Sequence, residues 1–242
     1  MHVYPELEPA RHGKIVIKRA LALADAYGRI DIPDIPLGKP SVSSPVLSAY
    51  LASRGIDIIA HLRMPDHNLL SAKSIIKTLS YVGVRRMILL RGDLPRQGGI
   101  CEGYWSPEEA LAYAKKYGVE PGLLISPRRS IEDIVRRLGL RAEIYYITRF
   151  NKNILNKIYK IINIIKNINS KIGLYIVIGT LKNRVYLREN KIPHIPLSEL
   201  AEILEWARAA GADRVILSAP GDGDILLDES IVEVVHGIER NR

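Results

Sequence analysis

Acidic and basic side chains stand at the ends of several short apolar segments of this 242-residue chain. Glu6 follows the first segment, His61 falls in the third, and Asp93 comes after the fourth. A partly desolvated carboxyl group suits general acid catalysis, which is the role we expect for Glu6. Arg91, two residues before Asp93, favours an ionised carboxylate that would stabilise a cationic intermediate. The local sequence alone favours a salt-bridged, structural Glu6, and for Asp93 an ordinary turn cap is an equally good explanation.

The elements that position these residues follow from the alternation of apolar runs with amphipathic stretches, which predicts a parallel α/β fold. Strands are expected near residues 2–6, 29–32, 56–62, 86–90, 122–125, 141–147, 174–178 and 215–217. Helices are expected near residues 14–27, 45–53, 69–81, 107–118, 131–138, 154–168, 197–210 and 228–236. Strand–helix units in this number, without a long linker, predict a single (β/α)8 TIM barrel domain over residues 1–242. An open doubly wound sheet is the alternative, because periodicity does not show closure.

A barrel of this kind carries its active site at the C-terminal ends of the strands. We therefore expect a shared site among the polar residues that fall there, which are Glu6, Asp31, Asp34, His61, Arg63, Arg91, Gly92, Asp93, Ser126, Thr148, Arg149, Gly179 and Thr180. The loop 220–223 after the last strand contains two glycines. It is compatible with a phosphate cradle of backbone amides, although a run of this kind is more often simply a tight turn.

Composition narrows the possible classes of protein. Cys101 is the only cysteine, which excludes an internal disulfide and a cysteine-based zinc site. His61 and His67 lack the spacing of a metal pair on one helix face, so we predict no metal. No run of about 18 apolar residues occurs, so we predict no membrane span. The first residues lack the pattern of a secretory signal, and a cytoplasmic location is expected.

The net charge of +9 is compatible with an anionic small molecule, with nucleic acid or simply with a solvated surface. Lysine and arginine are spread along the chain, and no aromatic-and-arginine patch is visible in the sequence. An RNA-binding basic barrel is therefore disfavoured, and we predict no nucleic-acid partner.

Two segments together resemble the methylenetetrahydrofolate reductase family. They are His61-Leu-Arg-Met-Pro-Asp-His-Asn68 and, about twenty residues later, Leu89-Leu-Arg-Gly-Asp-Leu-Pro95. Segments 6–9, 34–40, 147–150 and 178–181 are also similar to stretches of that family. The resemblance is strong over residues 55–95 and thin after residue 150.

The resemblance implies an oxidoreductase of one-carbon metabolism and methionine biosynthesis. Such an enzyme reduces a 5,10-methylene-tetrahydrofolate-type pterin to the 5-methyl form, with hydride passing from NAD(P)H to FAD and then to the pterin. Glu6 would be the general acid, and Asp93 the carboxylate that contacts the pterin. The implied flavin contacts are His61, Arg91, Gly92 and Asp93, with Ser126 and Ser130 standing where the family has Tyr and His. The implied substrate contacts are Asp93, Thr148 and Arg149.

Departures from the family keep other interpretations open. Arg149 replaces a substrate-binding glutamine, and the stretch 126–143 is shorter than in the family. The alternative is a non-redox barrel that binds a pterin or regulates a methyl-transfer complex. In either case we expect a homo-oligomer or a subunit of a larger complex.

Overall fold

The computed structural model describes residues 1–8, 13–95 and 98–240. Its strands are β1 (His2–Pro5), β2 (Arg29–Ile32), β3 (Asp57–Arg63), β4 (Arg86–Leu90), β5 (Glu120–Ile125), β6 (Ile144–Ile147), β7 (Lys171–Gly179), β8 (Ile195–Pro196) and β9 (Arg214–Ser218). Its helices are α1 (Gly13–Tyr27), α2 (Ser44–Ala52), α3 (Leu69–Tyr81), α4 (Pro107–Lys116), α5 (Ile131–Leu138), α6 (Leu155–Asn167), α7 (Arg184–Glu189), α8 (Leu200–Ala209) and α9 (Glu229–Arg240).

The chain divides into two compact units, of which the first comprises Met1–Glu8 and Leu124–Arg242. In this unit β9 pairs in parallel with both β1 and β7, and β7 pairs with β6. The two-residue β8 also pairs with β7. The Asn/Lys/Ile-rich segment forms α6, whose isoleucines at positions 158, 161, 162 and 165 are buried. The helical spacing of these isoleucines thus reflects a packed face, as predicted.

The second unit comprises Pro9–Leu123. Its strands β2, β3 and β4 pair in parallel, and β4 pairs with β5. The register places Asp31 opposite Ile59 and His61 opposite Ile88. Helix α3 begins at its N-cap Asn68, which accepts a hydrogen bond from the backbone N–H of Ser71 at 2.9 Å.

The strand order β1-β9-β7-β6-β5-β4-β3-β2 identifies the fold. Apart from the small β8, the order is sequential and lacks the reversal that defines a doubly wound sheet. The predicted (β/α)8 barrel class is confirmed, and the doubly wound alternative is wrong. The assignment of residues 1–242 to a single domain stays a prediction.

Among the strands and α-helices, two were absent from the sequence-based prediction, namely α7 and β8 between β7 and α8. The other boundaries lie close to the predicted ones, and those of α3, α5, β2 and β4 coincide with them. Among the residues that the structure describes, no helix is both long and apolar enough to cross a membrane.

Candidate active site

Glu6 lies immediately after β1, where its backbone N–H donates to the Leu217 carbonyl oxygen at 2.8 Å. Its half-buried carboxylate accepts hydrogen bonds from two hydroxyl groups. One belongs to Tyr175 in β7 and the other to Ser218, the last residue of β9. Two strands of the same unit thus present hydroxyl donors to one carboxylate. This arrangement lies at the strand ends, where barrel enzymes place their catalytic groups.

The loop after β7 is fixed by its own side chains. The buried Asn183 accepts a hydrogen bond from the Thr180 N–H at 2.7 Å and donates to the Ile178 carbonyl oxygen at 3.0 Å. The Thr180 hydroxyl donates to the carboxylate of Asp222 at 2.7 Å. Since Asp222 follows β9, the ends of β7 and β9 are joined through side chains.

Beside this loop lies an open cleft of about 820 Å³. Lys182 and Arg184 contribute positive charge to its lining. A hydrogen bond to Asp222 at 2.9 Å raises the pKa of Lys182, so its ammonium group stays charged. The ring of His194 also lines the cleft and lies so close to Gly179 that a Cβ there would be 2.4 Å from the ring. Asp222 also lines the cleft and pairs with Lys182, so the lining combines two cationic side chains with one carboxylate and keeps a positive net charge.

The loop after β9 binds an anion supplied by the chain itself. The carboxylate of Glu8 accepts hydrogen bonds from the backbone N–H groups of Gly221 at 2.6 Å and Gly223 at 2.9 Å. A Cβ on Gly223 would lie 2.7 Å from the Glu8 Cβ, so the close approach depends on glycine. The amide cradle anticipated at residues 220–223 exists, and in this structure it holds Glu8.

A buried polar network occupies the second unit at β2 and β3. His61 Nε2 lies 2.9 Å from a carboxylate oxygen of Asp31, and both side chains are nearly inaccessible. The carboxylate of Asp34 accepts hydrogen bonds from the backbone N–H groups of Arg63 at 2.9 Å and Ser44 at 3.4 Å. Burial raises the pKa of Asp31 and of Asp34, while the neighbouring His61 opposes the rise at Asp31.

The segment after β4 is held to this network through its backbone. The buried Arg63 guanidinium donates to the Asp66 carboxylate and, at 2.7 Å, to the Asp93 carbonyl oxygen. Gly92 has φ of +67°, and a Cβ there would lie 2.7 Å from the Arg63 Nε. Arg91 is exposed and lies 3.4 Å from Glu108. Asp93 thus contacts Arg63 through its backbone, and its side chain is exposed.

The remaining predicted contacts lie in the first unit. Ser130 caps α5 by accepting a hydrogen bond from the Asp133 N–H at 3.1 Å, and the Ser126 hydroxyl accepts one from the Arg128 N–H at 3.4 Å. The Thr148 hydroxyl donates to the Ile125 carbonyl oxygen at 3.3 Å. Arg149 has φ of +57° and donates to the Lys191 carbonyl oxygen at 3.4 Å.

The residues predicted to act in catalysis or to contact ligands are therefore divided between the units. His61, Arg91, Gly92 and Asp93 belong to the second unit, and the others belong to the first. The convergence of Glu6 and Asp93 on one hollow stays a prediction. Sequence reasoning missed Tyr175, Ser218 and Asn183. A polar residue at the end of a strand, as at Ser218, was the available signal.

Within residues 1–8, 13–95 and 98–240, no group of three or more His, Cys, Asp or Glu side chains could hold a metal ion.

Comparison with known proteins gives a fold relationship. No family model matches this chain, and no curated protein matches it. Similar solved structures include a variant of the tryptophan synthase alpha-subunit from the hyperthermophile Pyrococcus furiosus, at 13% identity and a TM-score of 0.60 over 99% of this chain and 95% of that one. The tryptophan synthase complex from the same organism gives 12% identity and a TM-score of 0.54, over 99% and 94% of the respective chains. At such identities the likeness shows the fold alone.

These findings contradict the resemblance to methylenetetrahydrofolate reductase, because the matched structures are tryptophan synthase alpha-subunits and no family model supports it. The predicted oxidoreductase of one-carbon metabolism and methionine biosynthesis is wrong. The predictions of FAD and NAD(P)H as cofactors and of a tetrahydrofolate-type pterin as substrate are also wrong. The alternative of a pterin-binding barrel is wrong as well.

The physical reason lies in the two segments that carried the resemblance, 61–68 and 89–95. Their most distinctive residues have packing roles. His61 pairs with Asp31, and Arg63 donates a hydrogen bond to the backbone carbonyl oxygen of Asp93. Such a framework can carry different chemistries on the same fold. Pro9, in the shorter matching segment 6–9, lies outside the described residues.

Proposed function

We propose that the protein is a non-redox enzyme in which Glu6 transfers a proton to or from a small anionic substrate. The observation that carries this proposal is the Glu6 carboxylate held by the hydroxyl groups of Tyr175 and Ser218 at the ends of the strands. Hydrogen-bond donors stabilise the ionised carboxylate, which is the form that a general base requires.

The anionic substrate is supported by the cleft beside the loop after β7. Lys182 and Arg184 supply cationic groups there. Asn183 and Asp222 fix the loop, so little ordering remains to be done when a ligand binds. Loops after the last two strands of such barrels frequently bind phosphate groups, so a phosphorylated substrate is the first class to examine.

The other candidate residues keep supporting roles in the proposal. Asp93 remains a proposed second carboxylate, and Thr148 and Arg149 remain proposed substrate contacts. His61, Arg91, Gly92, Ser126 and Ser130 remain candidates for further ligand contacts.

The solved neighbours are named as subunits of a synthase, and one of them was solved as a complex. We therefore propose that this chain also acts as a homo-oligomer or as a subunit of a complex, in the cytoplasm. A metal ion, a membrane and a nucleic acid have no part in the proposed reaction.

A solvent-exchange screen tests the proposal across whole classes of substrate at once. Phosphorylated and carboxylated small molecules are incubated with the protein in D₂O, and loss of carbon-bound proton signals is followed by NMR. The wild-type protein should catalyse exchange on at least one compound. Glu6→Gln should slow it by roughly 100-fold or more, the typical contribution of a positioned acid or base.

Glu233→Gln is the matched control, because this exposed glutamate within α9 loses the same charge and α9 contributes no residue to the candidate site. It should exchange at the wild-type rate. Equal exchange rates for wild-type protein and Glu6→Gln on every active compound would refute the assignment.

A further inference from the structure

Four aromatic rings and two lysines form a continuous surface on α3, on α4 and on the residues that flank α4. This surface, the α3–α4 face, consists of Lys73, Lys77, Tyr81, Trp105, Tyr113 and Tyr117. Ring centroids lie 5.6 Å apart between Trp105 and Tyr113, and 4.9 Å apart between Tyr113 and Tyr117. Tyr81 extends the row, with its centroid 6.3 Å from that of Tyr117.

The two lysines alternate with these rings. Lys73 Nζ lies 5.3 Å from the centroid of Trp105 and 5.6 Å from that of Tyr113. Lys77 Nζ lies 5.6 Å from the centroid of Tyr81 and 6.0 Å from that of Tyr117. Their i,i+4 spacing places both ammonium groups on one side of α3. Neither lysine forms an ion pair with any carboxylate among the described residues, so their charge is uncompensated there.

The α3–α4 face is separate from the core of its unit. Helix α3 buries Ala72, Ile76 and Leu79 on its other side. Tyr81 is 71% exposed, and Lys77 is exposed beside it. Trp105, Tyr113 and Tyr117 are half-buried, whereas Tyr81 presents most of its ring to solvent beside two lysines that no described carboxylate pairs.

We propose that the α3–α4 face binds single-stranded nucleic acid, with Lys73 and Lys77 contacting phosphates and Tyr81 stacking on a base. Aromatic rings next to cationic side chains are the common device for holding single strands without sequence preference. The net charge of +9 and the isoelectric point near 9.6 add long-range attraction. A protein partner fits less well, because protein interfaces are enriched in aromatic residues but depleted in lysine.

This inference goes beyond the proposed reaction and shares no residue with the Glu6 site. It also departs from the sequence-based argument against nucleic acid, which relied on the spread of lysine and arginine along the chain and on the lack of an aromatic-and-arginine patch; in the α3–α4 face lysines stand where that argument looked for arginine. The six residues are spread between positions 73 and 117, and the packing of α3 against α4 brings them together.

Fluorescence anisotropy with fluorescein-labelled oligo(U) and oligo(dT), added to the full chain at several salt concentrations, tests the inference. Wild-type protein should bind at low salt. Tyr81→Ala should raise Kd by about 5- to 150-fold, the usual effect of losing one stacked base. The Lys73→Gln/Lys77→Gln variant should reduce the slope of log K against log salt by about 1.4, or 0.7 for each lost phosphate contact.

Matched controls lie on α6. Tyr159 is 40% exposed and packs on Trp206, and the neighbouring Lys160 is exposed. Tyr159→Ala and Lys160→Gln should leave Kd unchanged apart from the small general effect of one lost charge. Circular dichroism establishes that each variant is folded.

Three results would overturn the inference. One is the absence of binding by folded wild-type protein at low salt. Another is equal weakening by the α6 and α3–α4 variants, which would indicate attraction by net charge alone. The third is equally tight binding of poly-L-glutamate with the same dependence on Tyr81, which would assign the surface to an acidic protein.

Discussion

Burial determines the direction of the pKa shifts of the two acidic residues in and after β2. Asp31 and Asp34 are both shielded from water, and desolvation is the largest cause of the raised pKa at each. Asp34 is the simpler case because its hydrogen-bond partners are backbone N–H groups, and the charges of His61 and His67 oppose only part of the rise in its pKa. Its titration should therefore be visible in the stability of the whole chain.

For Asp34 the folded-state pKa lies above the unfolded value. Between those two values the folded state binds more protons, so the contribution of Asp34 to the free energy of unfolding falls as pH rises. Below the unfolded pKa this contribution is fully present. Asp34→Asn should remove the part of the pH dependence of the free energy of unfolding that comes from Asp34. Urea unfolding of both proteins across acidic and neutral pH measures it, and identical slopes would show that Asp34 titrates normally.

Gly92 is the residue that lets the segment after β4 approach Arg63. Gly92→Ala places a methyl group 2.7 Å from the buried Nε and forces alanine into a positive φ. Gly103 has a similar φ of +66° but has nothing within 4 Å of the added Cβ. Gly103→Ala should cost about 1–2 kcal/mol for the backbone alone. Gly92→Ala should cost about 1–3 kcal/mol more because of overpacking.

Urea denaturation of the two alanine variants beside wild-type protein provides the comparison. Equal losses in the free energy of unfolding would show that Arg63 moves aside without cost, contrary to its buried position.

The candidate site illustrates what sequence can reveal about single residues. Glu6 was identified because it is charged and follows an apolar strand. Its partners Tyr175 and Ser218 are 169 and 212 residues away in sequence, so only strand order brings them to Glu6. The packing role of Arg63 was equally hidden, since a strand-end arginine is usually interpreted as exposed.

At the scale of elements, caps and apolar periodicity were sufficient to predict a helix or strand wherever the element was long enough to show them. Helices α3 and α5 have caps and apolar periodicity, and both were predicted at their observed bounds. Helix α7 has six residues and β8 has two, too few for either period to be recognised. These two elements form part of the cleft, so part of the site was missed with them.

Ser130 allows a test at this scale. As the N-cap of α5 it accepts a hydrogen bond from the Asp133 N–H, so Ser130→Ala should lower the free energy of unfolding by about 1 kcal/mol. Ser130→Asp should restore most of the loss, because aspartate is an equally good cap. Thermal and urea unfolding measure both variants. Unchanged stability in Ser130→Ala would remove the structural role and favour a ligand contact.

For the whole molecule, the fold was predictable and the chemistry was not. Alternating strands and helices without a divider led directly to the barrel, because few other folds satisfy that pattern. The family resemblance depended on short segments whose residues pack β2, β3 and β4 together. A barrel fold is shared by many unrelated activities, so function must be argued from the geometry at the strand ends.

The central claim is that Glu6 works as a unit with Tyr175. A double-mutant cycle on the exchange rate of an active compound tests it most directly, with Glu6→Gln, Tyr175→Phe and the combined variant. Residues that act together are strongly non-additive, so the combined variant should be no slower than Glu6→Gln alone. Rates that fall by the product of the two single effects would show that the two side chains act independently, and would contradict the account.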